Sequence, residues 1–181
     1  RNVTAQLAGY WHSAETDAPD PQVFQHLGVA DRAVTIAPEE AEGTVAYLFG
    51  AATLQYQMFG QIGEMTPFSV DMSGSGSVGL ARGRIAAAPR DVSAAGQVGS
   101  AVQLPAVGAG QRLCAAVHVL RAGATLTLAI ESSADDTFSA PSTVATVGPI
   151  TAAGGVWMTP TPGPIADTWY RLVATDAAGT F

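Results

Sequence analysis

Short apolar stretches alternate with glycine- and proline-rich breaks along the whole chain, which favours strands over helices. Residues 3–11, VTAQLAGYW, alternate most regularly, and the apolar side of this segment carries Val3, Ala5, Leu7, Gly9 and Trp11. An alternation of period two predicts a strand that is buried on one face only.

Further strands are predicted in the first half at residues 32–37, 44–59 and 68–86. Gly50 is expected to break the second of these into two strands. The SGSGSVG run at 73–79 is expected to form either a bulge in a strand or a hairpin turn. EEAEG at 39–43 is an acidic turn, and its charge cluster is most simply solvated: Glu39, Glu40 and Glu42.

One helix is predicted, at residues 20–28. Asp20 is placed to cap its first turn, Pro21 fits the first helical position, and Gly28 can terminate it. The buried stripe of this helix would consist of Val23, Phe24 and Leu27. His26 lies off the stripe and is expected to be exposed.

The second half is predicted to be a compact β-sandwich after a domain boundary near residue 89. Residues 86–101, at the boundary, are small, polar and flexible in composition. The strands are expected at 101–107, 112–120, 124–131, 143–150, 156–159 and 167–175. Inward-pointing side chains are Leu126, Leu128 and Ile130, and one face of the last strand carries Thr168, Tyr170, Leu172 and Ala174. Arg171 is expected to stack on Trp169 or to reach a carboxylate such as Asp167.

These elements predict an all-β fold of two β-sandwich or partial-barrel domains, the first with one short helix. The first domain covers residues 1–88, and the second, an Ig-like or jelly-roll-like sandwich, covers 89–181. The chain opens without Met and stops inside an alternating pattern, so we expect both ends to be truncated.

Composition limits the possible partners of the chain. Net charge is −7, and all eight basic residues are arginines, so there is no lysine. Tight nucleic-acid binding needs a basic face, which this supply does not provide. Charged residues make up only 13% of the chain, against about 25% in an average globular protein. Such a weakly charged surface favours burial against neighbours. No run of 18 apolar residues predicts a membrane span, and no signal peptide is apparent.

Catalytic, cofactor-binding and metal-binding residues are not predicted. His12, His26 and His118 have no metal-ligand spacing, and Cys114 is expected to be a small buried residue in a strand. No serine lies in a nucleophile elbow, and SGSGSVG lacks the lysine of a phosphate loop. We therefore expect the chain not to be an enzyme.

Two weaker candidates remain open. Asp135 and Asp136 fall short of a calcium-loop spacing and are most simply solvated turn residues. The three tryptophans would allow a sugar-stacking platform, although core or interface anchors are the simpler interpretation: Trp11, Trp157 and Trp169.

The stretches RNVTAQLAGYW, DPQVFQHLG, AYLFGAATLQYQMFGQIGEMTPFSVDMSGSGSV and LARGRIAAAP follow one another in the first half. In this order the first half resembles the C-terminal two-thirds of the tail tube domain of long-tailed bacteriophages. VQLPAVGAGQRLCAAVHVL, ATLTLAIESSADDTFSAPSTVATVGPITAAG and GPIADTWYRLVAT in the second half resemble the β-sandwich appended to some of these tail proteins.

The resemblance implies a virion structural protein located in the phage tail. Its copies would form stacked hexameric rings, with strands of each subunit joined in an inner β-barrel around a channel that DNA passes without tight binding. We expect residues 44–59 and 68–86 to supply this inner sheet, the appended domain to decorate the tube, and other virion proteins to be further partners. The family's N-terminal strands and inter-ring loop would precede Arg1. The alternatives are a capsid decoration protein, usually trimeric, and a carbohydrate-binding adhesin domain.

Overall fold

A computed structural model describes residues 3–12, 14, 18–24, 26–58, 65–75 and 78–181. Within these residues nearly all regular structure is antiparallel sheet, which confirms the predicted all-β fold. The elements in chain order are β1 (Thr4–Tyr10), α1 (Pro19–Phe24), β2 (Arg32–Ile36), β3 (Val45–Met58), β4 (Pro67–Gly74), β5 (Ala81–Arg84), β6 (Gly96–Gln103), β7 (Arg112–Leu113), β8 (Ala116–Val119), β9 (Thr125–Ser133), β10 (Ser142–Ile150), β11 (Gly154–Trp157), β12 (Thr161–Pro162) and β13 (Trp169–Ala178).

The chain divides into two compact units, and both are discontinuous in sequence. The first consists of Arg1–Val34 and Phe49–Leu80, and the second of Thr35–Leu48 and Ala81–Phe181. The domain boundary near residue 89 stays a prediction. The limits of the two compact units lie at other positions in the sequence, because residues 35–48 and 81–88 group with the second half.

In the first unit, β4 lies between β1 and β3 in an antiparallel sheet. Its apolar face is buried at Phe68 and Val70, which are 7% and 3% exposed. Gly9 of β1 lies opposite Phe68, and a Cβ atom there would meet the Phe68 ring at 2.9 Å. Glycine at this position therefore lets the aromatic ring cover the neighbouring strand.

The helix is shorter than predicted. α1 ends at Phe24. Gly28 follows in a turn and has a φ of +72°. Its N–H donates to the Thr53 carbonyl at 3.1 Å. The predicted buried stripe is wrong at Phe24, which is 68% exposed, and Leu27 lies beyond the helix, where it bridges to Thr53 of β3. His26 is half-buried rather than exposed. No helix in the described part of the chain is long and apolar enough to cross a bilayer.

β3 runs without interruption through Gly50, so the predicted break there is wrong. Gly50 is buried, and its carbonyl accepts a hydrogen bond from the Ser75 N–H at 2.8 Å. β4 and β5 each pair with β3 and not with each other, which excludes a hairpin of those two strands. Residues 76 and 77 of the SGSGSVG run lie outside the described residues.

The second unit contains the predicted β-sandwich. Its four-stranded sheet has the order β10-β9-β13-β6, and it packs against the ribbon of β8 and β11. Several predicted inward-facing residues are confirmed as buried: Leu126, Leu128, Tyr170 and Ala174.

Residues 86–101 are not the flexible segment that their composition predicts. β6 begins at Gly96, and the Ser100 N–H donates to the Ala86 carbonyl at 2.9 Å. Gly99 has a φ of +74°, and a Cβ atom there would lie 2.2 Å from the same carbonyl oxygen. The small residues are needed for this close backbone approach, which composition alone does not distinguish from flexibility.

Candidate functional site

The sheet of the first unit has one polar face that runs across the neighbouring strands β1, β4 and β3. Gln6, Asp71 and Gln55 lie side by side in register on β1, β4 and β3, and the Gln6 amide donates to the Asp71 carboxylate at 3.0 Å. The neighbouring row consists of Ala8, Ser69 and Gln57. Asp71 is the only charged residue in these three strands, so the face is hydrophilic, weakly acidic and without cations.

The opposite face of this sheet is apolar and is fixed to the helix. The Tyr56 and Phe68 rings meet edge to face, with centroids 6.0 Å apart. The Tyr56 hydroxyl donates to the Asp20 carboxylate at 2.8 Å, so Asp20 anchors the helix to the sheet. Burial, and next the hydrogen bond to Asp20, raises the pKa of Tyr56 to about 12.

β1 has a free edge. The Trp11 N–H donates to the Thr66 carbonyl, and the Gly74 N–H donates to the Val3 carbonyl, both at 2.7 Å. Because hydrogen-bonded pairs alternate along an antiparallel ladder, odd-numbered residues of β1 bond to β4. The N–H and C=O groups of four even-numbered residues therefore point to the other edge, which no described strand covers: Thr4, Gln6, Ala8 and Tyr10.

This edge lacks the features that normally protect sheet borders. β1 contains no charged residue and no proline, and its seven residues pair with β4 without a register shift. β10, an edge strand of the second unit, carries two register shifts and Pro149. Charges, prolines and bulges prevent unwanted strand pairing, so the β1 edge is better suited than the β10 edge to accept another strand.

Glu42 is the common partner in a cluster of polar contacts in the second unit, which we call the Glu42 node. It accepts hydrogen bonds from the Ser100 hydroxyl at 2.5 Å and the Ala88 N–H at 3.1 Å, and it pairs with Arg90. Led by the Ser100 bond, these contacts lower the pKa of Glu42. Glu42 is thus not part of a solvated cluster, as the sequence suggested, since only 17% of its side chain is exposed. Sequence reasoning missed the node because its donors are more than 40 residues away.

His118 and Cys114 both lie in the region of β7 and β8 in the second unit. His118, on β8, shares a 2.8 Å hydrogen bond with the Thr35 hydroxyl, and partial burial of the ring lowers its pKa although part of its surface stays exposed. Cys114 is half-buried between β7 and β8, and burial raises its pKa. Among the described residues, no group of three or more His, Cys, Asp or Glu side chains is arranged to hold a metal ion.

Arg171 reaches a carboxylate, as predicted, but the carboxylate is that of Glu131 and not that of Asp167. It lies directly opposite Glu131 in the β13–β9 register, and its Nε donates to that carboxylate at 2.7 Å. Its guanidinium carbon also lies 4.5 Å from the Phe138 ring centroid. Asp167 instead accepts a hydrogen bond from the buried Ser132 hydroxyl at 2.6 Å.

The remaining candidates have ordinary structural surroundings. Asp135 accepts hydrogen bonds from the N–H and hydroxyl of Thr137, as expected of a turn residue. Trp157 and Trp169 are half-buried, whereas Trp11 is 42% exposed beside β1. In the described part of the chain, the tryptophans therefore do not form one exposed aromatic platform.

The comparisons with known proteins do not assign a family. No family model matches the chain, and no significantly similar curated protein or solved structure was found.

Proposed function

We propose that this chain is a virion structural protein, the subunit of a phage tail tube built from stacked hexameric rings around a DNA channel. The observation that carries the proposal is the free edge of β1, with four outward-facing pairs of N–H and C=O groups. A strand from a neighbouring copy would satisfy these groups, and closing a ring of copies would leave no free edge.

The polar face of the same sheet supports a channel lining. Its glutamines and serines keep water at the surface, and its single charge, Asp71, is negative. A duplex would be weakly repelled and not retained, because phosphate binding requires lysine or arginine. β3, which lies within the predicted segment 44–59, and β4, which overlaps the predicted segment 68–86, would supply this lining.

The substitution Ala8→Pro tests the proposal. The Ala8 N–H faces the free edge, so proline removes a donor needed by a neighbour without removing a bond to β4. We expect the variant to fold with an unchanged circular dichroism spectrum but to form no rings or tubes in negative-stain microscopy. Ala8→Val is the matched control, because it keeps the N–H group and should assemble.

Rings formed by Ala8→Pro as readily as by the wild type would refute the role of this edge. The same images test the alternatives for the wild type. Trimers would favour a capsid decoration protein, and monomers that bind glycans would favour an adhesin.

A further inference from the structure

The second unit contains a cavity of about 740 Å³. Its walls are formed mainly by half-buried apolar side chains that lie on or beside the sandwich core, among them Ile85, Val92, Leu104, Leu113, Val117 and Leu172. Pockets that bind small molecules have volumes of about 300–1,000 Å³ and mostly apolar walls. The space is thus of the size and chemistry of a ligand site, and the proposed role in assembly does not use it.

The rim of the cavity reaches the surface and remains apolar on one side. Leu120, which follows β8, lines it and is 78% exposed, the highest exposure among the large hydrophobic residues described. An apolar side chain at the mouth of an apolar cavity favours entry of a molecule that is itself apolar along most of its length.

A cation without a carboxylate partner lies on the same rim. Four arginines line the cavity, and three of them form ion pairs: Arg90 with Glu42, Arg121 with Asp91, and Arg171 with Glu131. The fourth, Arg84, donates to the Gly43 carbonyl, and among the described residues it has no other hydrogen-bond acceptor and no ion pair. The carboxylates on the rim are Asp91, already paired, and the exposed Glu40.

We propose that this cavity binds a linear amphiphile with a carboxylate head, such as a medium-chain fatty acid. The alkyl chain lies against the sandwich core, and the carboxylate binds the free guanidinium nitrogens of Arg84. A guanidinium group is suited to this role because its planar donors match the two oxygens of a carboxylate. The site goes beyond the proposed tail function and does not depend on it.

Titration calorimetry of the wild-type protein with octanoate, decanoate and dodecanoate, each below its micelle concentration, tests the chain-binding part. We expect one saturable site whose affinity rises about fourfold per added methylene group, as burial of each CH₂ predicts. The absence of saturable binding, or an affinity independent of chain length, would overturn the proposal. This series needs no variant and so does not depend on the folding of one.

Substitutions on β5 test the head-group assignment. We expect the wild type to bind decanoate more tightly than decanol. Arg84→Gln should weaken decanoate binding about tenfold and bring its affinity to that of decanol, since the charged hydrogen bonds are lost. Arg82→Gln is the matched control, because Arg82 is exposed on the same strand but does not line the cavity. Equal affinities of the two variants for decanoate would refute the role of Arg84.

A third variant tests the location. Ala116 of β8 lines the cavity, and Ala116→Phe should fill part of it and weaken binding of every chain length. Unchanged affinity in a folded Ala116→Phe variant would place the amphiphile elsewhere on the surface and would overturn the proposal.

Discussion

Removing the charge of Glu42 should destabilise the protein measurably. Glu42→Gln keeps the shape of the side chain but replaces a carboxylate that accepts from Ser100, Ala88 and Arg90. A hydrogen bond to a charged group contributes about 1.5–3 kcal/mol, and the half-exposed Arg90 pair contributes less. Since glutamine retains some of these bonds, we expect a total loss of about 2–3 kcal/mol, which lowers the Tm by about 5–10 °C in a chain of this size.

The effect should depend on pH in a defined direction. The pKa of Glu42 is lowered from 4.5 in the folded protein, so its stabilising effect is fully present above pH 4.5. It is lost as the pH falls through the lowered folded value, because the carboxylate is then protonated in both states. Wild type and Glu42→Gln should therefore differ in Tm at pH 7 and converge in acid.

Thermal unfolding followed by circular dichroism at several pH values measures both effects. Glu39→Gln is the matched control, because Glu39 is exposed next to the same turn. If Glu42→Gln at pH 7 melts no lower than Glu39→Gln, the hydrogen bonds to this carboxylate do not stabilise the fold, and the reasoning is refuted.

Two further substitutions test packing and titration. Gly99→Ala should lower the free energy of unfolding by about 2–3 kcal/mol, because the new Cβ atom clashes with the Ala86 carbonyl. Gly96 also has a positive φ but lies in open space, so Gly96→Ala should lower it by about 1 kcal/mol. Chemical denaturation measures both values. Tyr56→Phe should lose about 1 kcal/mol of stability and should remove the contribution of Tyr56 to the phenol absorbance change near pH 12. In the wild type, the contribution of Tyr56 to stability should fall between pH 10 and about 12, because over this range Tyr56 keeps its proton in the folded state and loses it in the unfolded state.

Period-two alternation was sufficient to predict most strands, because it reflects which side of a sheet is buried. It placed Leu126, Leu128 and Tyr170 in the core. It did not identify Glu131 as the partner of Arg171, since cross-strand register depends on contacts 40 residues apart. The same reason explains why neither the Glu42 node nor the free edge of β1 was predicted: both are set by pairing between distant segments.

Local composition was misleading where small residues serve close packing. Glycines and alanines in 86–101 indicated flexibility, yet they allow β6 to approach the Ala86 carbonyl. Gly50 indicated a break, yet β3 continues through it with a hydrogen bond to Ser75. A glycine required by steric proximity and one that permits motion are identical in sequence.

The interleaving of the two units has a consequence for biosynthesis. Thr35–Leu48 leaves the ribosome before residues 49–80, although it belongs with Ala81–Phe181. At about 5–20 residues per second, this early segment waits on the order of ten seconds until β13 has been translated. Neither fragment of a chain cleaved at residue 89 would contain a whole second unit, so co-translational folding of that unit must wait until most of Ala81–Phe181 has been translated.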